Sequence, residues 1–395
     1  MEVGVGADGR RKRRLRARDR RAAAGRVRRV AVDRRLLERR ADRAETRGGR
    51  VAAAAAVRRS GYAMTVTAVR APEKGRVGIE RVELPSTEPH QLRVRVAMSA
   101  VSPGTERASI LGLENTSNVF PMKLGYSAVG TVEEVGSAVP GDAFAIGDRV
   151  ACFTLAHAEV GTVAAEYSLR APESVDDRHA ALTSIGQIAM QAVRKARIEL
   201  GEAVAIFGLG PIGLTALALA RLSGAAPVIA IDREPARLQV ARRMGADLLV
   251  NTNDKEWRES VLGATNGNGA AAVIESTGFP EPVRLAMSAA ARYGRVVLLG
   301  STRAEATINP YTDIHRPGLT IIGAHVMAVP KHESRAGFWT WQDDARCYLD
   351  LVGRGRLDLS PIMEEPVAGA DAGVVYARIL EWDPTILVPF LRWGA

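Results

Sequence analysis

Three glycines and one acid carry the chemistry most legible in this chain. Gly208, Gly210 and Gly213 stand in the run Gly208-Leu-Gly210-Pro-Ile-Gly213, and Asp232 follows 19 residues after the last of them. An apolar, β-branched run from Val204 to Phe207 leads into the cluster. A long apolar helical pattern leaves it, and a second apolar run, Val228 to Ile231, ends on Asp232. A strand, a tight turn, a helix, a second strand and an acid are what a bound dinucleotide requires. Gly208 permits the turn, Gly210 lets the backbone approach a pyrophosphate, and Gly213 lets the helix close onto the strand. Pro211 and Ile212 open that helix, whose free N–H groups and positive dipole end would face the phosphates. Asp232 is placed to accept hydrogen bonds from ribose hydroxyls. A carboxylate there repels a 2′-phosphate, which predicts NAD. Arg233, directly after it, could instead receive that phosphate, so NADP stays possible.

The elements that position these residues follow from pattern. From about residue 186, strands and helices alternate. Strands are predicted at Ala203 to Phe207, Val228 to Ile231, Leu248 to Val250, Ala271 to Glu275, Arg295 to Leu299 and Leu319 to Ile322. Helices are predicted between them, at 211–223, 234–244, 254–262 and 280–292. Six such strands make a doubly wound parallel sheet. Thr277, with Gly278, lies past the fourth strand, and Gly300, with Ser301, past the fifth. Backbone there should face the nicotinamide half of the coenzyme, because ligands sit outside the carboxyl ends of such strands. Residues 64 to about 175 read instead as short alternating strands between Gly, Pro and Asp turns, a small barrel or sandwich. After about 330 come an amphipathic helix, Asp343 to Gly353, and a last strand, Thr385 to Leu391, expected to return to the first domain. The division is 1–63, 64–185, 186–328 and 329–395.

Composition narrows the class. The chain has 395 residues, 47% of them hydrophobic, which suits a globular protein of two or more domains. No apolar run has the roughly 18 residues of a membrane helix. Two cysteines far apart, Cys152 and Cys347, give no disulfide framework and fit a reducing cytoplasm. The net charge of +10 is misleading: residues 1–63 hold 21 Lys and Arg against 7 Asp and Glu, whereas 64–395 hold 33 against 37. The body therefore gives no electrostatic reason to expect nucleic acid or membrane. The first 63 residues, almost all Arg, Ala, Gly and Val, could bury little surface against their ordering entropy and read as a disordered basic extension. Met64 opens an ordinary strand, MTVTAVRAP, and would be a natural start, with the extension a reading frame continued upstream. A basic arm on nucleic acid or anionic membrane, and a targeting peptide, are the alternatives.

Together the motifs resemble the medium-chain dehydrogenase/reductase superfamily, the group of alcohol dehydrogenases and quinone reductases, over essentially all of 64–395. Gly125-Tyr-Ser-Ala-Val-Gly130-Thr-Val-Glu-Glu-Val-Gly136 is similar to the family's GHE-x-x-G-x-V-x-x-x-G segment. Gly147-Asp-Arg-Val150 resembles its GDRV turn, and Gly104-Thr-Glu106 its CGTD element. The resemblance implies an α/β protein: a Rossmann-type doubly wound parallel sheet plus a GroES-like β-barrel catalytic domain, assembled as a homodimer or homotetramer. It also implies that Arg237 lies near the adenosine ribose.

The departures are as informative. Zinc-dependent members hold the metal with Cys, His (beside a Glu) and a further Cys or Asp. Here those positions fall at Ser102-Pro103-Gly104, Tyr126-Ser127 and Thr183-Ser184, none a usual zinc ligand. The four-cysteine structural lobe is also missing, so no zinc is expected. Cys152 and His157 are neighbours but do not make a site, and His90, His179, His315, His325 and His332 show no ligand spacing. Without metal, a donor must stabilise the developing oxyanion. Tyr126, at the position of the lost His, is the candidate acid or base, although its pKa of about 10 would have to fall for the basic role. Thr105, at the family's relay hydroxyl, could pass the proton on, and Lys123 could bias the phenol. Phe338, Trp339 and Trp341 could line a large apolar substrate or a subunit interface. The expected activity is hydride transfer between NAD(H) and an alcohol or ketone. The combination of GTE and GYS resembles the zinc-independent subgroup that includes bacteriochlorophyllide hydroxyethyl dehydrogenase and enzymes of secondary metabolism. The alternatives are an NADPH-dependent enoyl or quinone reductase and, from another class, a non-catalytic nucleotide-binding regulator.

Overall fold

The computed structural model describes residues 64–394. The expectations for 1–63 lie outside the described residues. The first half of the body is a curved antiparallel assembly. Strand β1 (Thr65–Ala71) pairs with β2 (Gly78–Glu83) and with the short β4 (Met122–Lys123). The long β3 (Gln91–Ala100) pairs with β5 (Ser127–Val135), which pairs with β6 (Arg149–Phe153), which pairs with β8 (Ser168–Arg170). β7 (Val160–Ala164) takes the same β3 further along. Alternation explains the faces: Leu92, Val94 and Val96 of β3 are buried while Arg95 is exposed. β7 and β8 are parted by a turn of 3₁₀ helix at Ala165–Tyr167. A helix the strand pattern did not predict, α1 (Pro103–Ile110), follows β3; Pro103 opens it, where a missing N–H costs nothing.

Helices α2 (Asp177–Ala181) and α3 (Thr183–Ala196) lead into the second half, and α3 runs through residue 186, where the pattern changes. There β9 (Val204–Phe207), α4 (Pro211–Leu222), β10 (Val228–Asp232), α5 (Pro235–Arg243), β11 (Leu248–Asn251), α6 (Trp257–Ala264), β12 (Ala270–Glu275), α7 (Pro280–Ala289), β13 (Ala290–Leu298) and β14 (Thr320–Gly323) alternate. The six strands are all parallel in the order β11-β10-β9-β12-β13-β14. β9 is buried at every residue, as a central strand covered on both faces must be. The chain steps from β9 outward to β11, then crosses to β12 on the other side. That reversal opens a crevice at the carboxyl ends of β9 and β12. Boundaries differ from the sequence reading at several elements: α6 begins at Trp257 and not at 254, β13 begins at Ala290 and not at Arg295, and α7 stops at Ala289 instead of continuing to 292. Ala290 already pairs with Ala270, and the register then shifts before Arg295 meets Ala272.

The last segment carries α8 (Trp341–Gly353), β15 (Val367–Ala368), α9 (Ala372–Leu380) and β16 (Phe390–Arg392). β16 pairs antiparallel with β3, Phe390 opposite Ala100, so the chain's end closes the first sheet. Only Phe390–Arg392 is strand, shorter than the predicted Thr385 to Leu391 and ending one residue beyond it. No helix among the described residues is long and apolar enough to cross a membrane.

Candidate functional site

A cleft of about 920 Å³ lies over the carboxyl ends of β9, β10, β12 and β13, bounded opposite by α1 and the turn before β5. All the glycine-loop residues read from the sequence line it, and each glycine has a distinct reason. Gly208 has φ +84°, and a side chain would meet the Thr277 backbone at 2.9 Å. A Cβ at Gly213 would overlap the Gly208 carbonyl, so helix α4 can sit this close only without one. A Cβ at Gly210 would meet nothing within 4 Å. The space there belongs to the cleft, at the start of a helix with no acidic residue in its first turn. This is the geometry of an anion cradle.

Asp232 braces that loop. Its Oδ2 accepts the Leu209 N–H at 2.6 Å and its Oδ1 the Glu234 N–H at 2.9 Å. Each carboxylate oxygen can accept a further bond, so ribose hydroxyls can still be received. Arg233 and Arg237 line the same end. The Arg233 guanidinium lies 5.6 Å over the Phe279 ring, and Arg237 Nε donates to the Pro384 carbonyl at 3.1 Å. At the other end, Thr277 and Gly300 also line the cleft. The Thr277 N–H donates to Glu275 Oε1 at 2.8 Å, and the Gly300 N–H donates to the Glu275 carbonyl at 2.8 Å.

Thr105 and Tyr126 face the cleft together, with Ser102, Phe153, Ile188 and Val326 around them. Burial pushes the Tyr126 phenol up to about 12; the Glu106 charge adds to this, while the Ser102 and Thr105 hydroxyls pull the other way. In the protein alone the phenol therefore holds its proton, the reverse of the fall that the basic role would need. Beneath it lies a buried polar chain that sequence reasoning missed. Glu106 accepts the Ser102 N–H at 2.8 Å and the Tyr376 hydroxyl at 2.5 Å, and meets His157 Nε2 at 3.2 Å. His157 Nδ1 lies 2.7 Å from Ser99 Oγ, which accepts Trp393 Nε1–H at 2.9 Å. The His157 ring fills the space a side chain at Gly125 would need. The network thus fixes the floor of the turn that presents Tyr126. Its members lie up to 294 positions apart in sequence, so the acid of the Gly104-Thr-Glu106 element and a lone histidine were the only signals.

The side chains at the family's zinc positions do not fit that metal. Pro103 offers no donor atom. Ser127 Oγ donates to the Ala181 carbonyl at 2.5 Å, and Ser184 Oγ to the Tyr126 carbonyl at 3.4 Å. Cys152 faces Ser168 at 3.6 Å, its thiol pushed up to about 12 by burial, while His157 is engaged elsewhere. Among the described residues no three His, Cys, Asp or Glu cluster as a metal site would require.

Two candidates do not join the cleft. Lys123 is exposed on β4, opposite Arg70, and does not line it. The aromatic group from 338 to 341 packs elsewhere: Trp341 is buried and stacks on Phe153 at 5.8 Å, and Trp339 lies 3.4 Å from the Arg194 guanidinium. Of the two roles open to them they do not take that of lining the cleft, whose wall here is made by Ala324, His325 and Val326.

A GroES-like barrel joined to a Rossmann-type sheet, with the cleft between them, defines a two-domain dehydrogenase architecture. Residues 88–197 match the family model of the alcohol dehydrogenase GroES-like domain, and residues 211–342 that of the zinc-binding dehydrogenase. The chain belongs to the medium-chain dehydrogenase/reductase superfamily. It is 34% identical over 191 residues to an L-threonine 3-dehydrogenase of Bacillus licheniformis, covering 48% of this chain and 52% of that one. It is 30% identical over 244 residues to the L-threonine 3-dehydrogenase of Bacillus subtilis, covering 61% and 65%. These matches span about half to two thirds of the relatives' own length. Among solved structures, the 2R,3R-butanediol dehydrogenase of Bacillus subtilis superposes with a TM-score of 0.69 at 22% identity, over 83% of this chain and 100% of that one. A Sinorhizobium meliloti 1021 protein bound to NADP gives a TM-score of 0.70 at 24% identity, over 83% and 99%.

Proposed function

We propose that the protein is a zinc-independent medium-chain dehydrogenase/reductase that moves hydride between NAD(H) and an alcohol–ketone pair. The observation that carries the reading is convergence: the glycine loop, Asp232 and the Tyr126 phenol all face one cleft, and the metal-ligand positions around that phenol hold no zinc donors. A nicotinamide coenzyme, when bound, supplies or accepts the hydride. The Gly208 to Gly213 loop and the start of α4 would hold its pyrophosphate, and Asp232 its adenosine ribose. The carboxylate favours NAD over NADP.

Tyr126 would work as a neutral donor. A phenol kept protonated by burial can hydrogen-bond a substrate carbonyl oxygen and give up its proton as negative charge develops there. That favours the reducing direction near neutral pH. The Thr105 and Ser102 hydroxyls, which pull the phenol's pKa down against its burial, can stabilise the phenolate left behind and return a proton to it. Phe153, Ile188 and Val326 give this end an apolar wall that excludes water from the reacting atoms. A small-molecule substrate, a homo-oligomeric state and a cytoplasmic location accompany this reading.

The test is spectrophotometric turnover of NADH and NADPH by the full chain with a panel of ketones, enones and cyclitols. Ketone-dependent NADH oxidation is expected. Tyr126→Phe should lower kcat by about 10²- to 10⁴-fold with coenzyme affinity unchanged. Equal kcat in the variant removes the phenol from the chemistry, and turnover of enones alone replaces the carbonyl reading with reduction of a conjugated double bond.

A further inference from the structure

Glu275 closes β12 and is fully buried, yet only half of its carboxyl is used. Oε1 accepts the Thr277 N–H at 2.8 Å and also the Thr277 hydroxyl. Oε2 is inaccessible to solvent and has no partner. Buried carboxyl oxygens are rarely left so, and a water or a proton must satisfy this one. Glu275 belongs to the wall of a second cavity, of about 290 Å³, with Val283, Leu298 and Thr302. Leu299, Gly300, Ser301 and His325 line both this cavity and the main cleft, so the two spaces meet at the carboxyl ends of β13 and β14. The coenzyme reading puts the nicotinamide ring at that end.

The charges around this carboxyl are few. β12 is flanked by β9, which ends in apolar Phe207, and by β13, which gives Leu298. α7 gives Val283 to the cavity; its Glu281 lines the main cleft, and its Arg284 pairs with Asp313 at 3.1 Å. His325, after β14, is the one other titratable side chain among the lining residues of the cavity, and it is exposed. Arg303 lines the main cleft and donates to the Asn115 carbonyl at 2.8 Å. No cation pairs with Glu275, and burial pushes its carboxyl above the ordinary range against the two Thr277 hydrogen bonds.

We propose that Glu275 sets the cleft's preference between oxidised and reduced coenzyme, holding a proton when the nicotinamide ring is neutral and releasing it when the ring is cationic. This rests on the coenzyme reading above. A positive ring at the end of the cleft that shares its wall with the Glu275 cavity would favour the carboxylate, by on the order of tenfold at an effective dielectric of about 20. The sign follows from linkage: the deprotonated protein binds the cationic form more tightly, so NAD+ affinity rises with pH through the carboxyl's titration. Binding of NAD+ then releases protons. Binding of NADH, whose ring is neutral, does not.

The experiment is calorimetric titration of the full chain with NAD+ and with NADH, across pH and in two buffers of different ionisation enthalpy. Glu275→Gln keeps an acceptor for Thr277 while removing the titration, and its thermal midpoint checks that it folds. His325→Gln removes the competing group. The expected result is about a tenfold rise in NAD+ affinity with pH, with proton release, in the parent and in His325→Gln. Glu275→Gln should bind NAD+ at the parent's low-pH affinity at every pH, and NADH affinity should be flat throughout. A slope that survives Glu275→Gln, or that vanishes only in His325→Gln, overturns the role of Glu275, as does equal pH-flat binding of both coenzymes. A parent chain that binds neither coenzyme overturns the coenzyme reading itself.

Discussion

At the residue scale, two glycines of one loop make opposite demands, and this separates binding from folding. A side chain at Gly210 would enter open cleft, whereas one at Gly213 would strike the Gly208 carbonyl. Gly210→Val is therefore expected to leave the thermal midpoint near that of the parent while abolishing measurable NADH binding by fluorescence titration. Gly213→Ala should lower the midpoint by separating α4 from β9. If Gly210→Val binds NADH undiminished, the pyrophosphate does not lie where the loop was read to hold it. Tyr126 makes the same point about environment. Residue type alone offered an acid or a base, and the half-buried position beside Glu106 favours the protonated form.

At the element scale, the site is held from behind by α3 and α8. Gly186 of α3 lies against the ring of Tyr348 of α8, and a Cβ there would overlap that ring. The Tyr348 hydroxyl donates to the His179 carbonyl at 2.9 Å, so the ring has little room to retreat. Arg194 of α3 pairs with the buried Asp344 of α8 at 2.5 Å, and Lys195 Nζ donates to the carbonyls of Gly323 and Ala328. That last contact ties α3 to both ends of the segment that puts His325 and Val326 into the cleft wall. Gly186→Ala should cost about 1–3 kcal/mol, as overpacking does, and lower the thermal midpoint by a few degrees. An unchanged midpoint would mean that the two helices adjust more freely than their contact implies.

At the scale of the whole molecule, the barrel and the sheet are those of the family, and the metal-free reading proposed above turns on the residues at its zinc positions. The family model matched by residues 211–342 is that of a zinc-binding dehydrogenase, yet the stretches that the resemblance aligns with the zinc ligands are Ser102-Pro103-Gly104, Tyr126-Ser127 and Thr183-Ser184, which hold no thiolate, imidazole or carboxylate. Purified protein should contain well below one zinc per chain by elemental analysis, and chelator treatment should leave turnover unchanged. Stoichiometric zinc whose removal abolishes activity would overturn the metal-free reading. The buried Glu106, His157 and Tyr376 network gives a physical account of how the turn keeps its shape: several hydrogen bonds from distant parts of the chain converge beneath it.

Local order in the chain was enough to specify the dinucleotide crevice. Turn, helix start, second strand and acid occur within about thirty consecutive residues, and their chemistry depends on backbone conformation and spacing that neighbouring residues set. The doubly wound sheet was legible for the same reason, since fully apolar runs bounded by glycine mark buried parallel strands. The other half of the site was decided by tertiary structure. Lys123 and the aromatic residues 338–341 are near the right elements in sequence but turn away from the cleft, while His157, Glu275 and His325 are brought to it or beneath it by strand pairing across long separations. Whether a phenol or a carboxyl is charged depends on the surface that packing removes from water. That surface is assembled from segments hundreds of residues apart, and no local pattern encodes it.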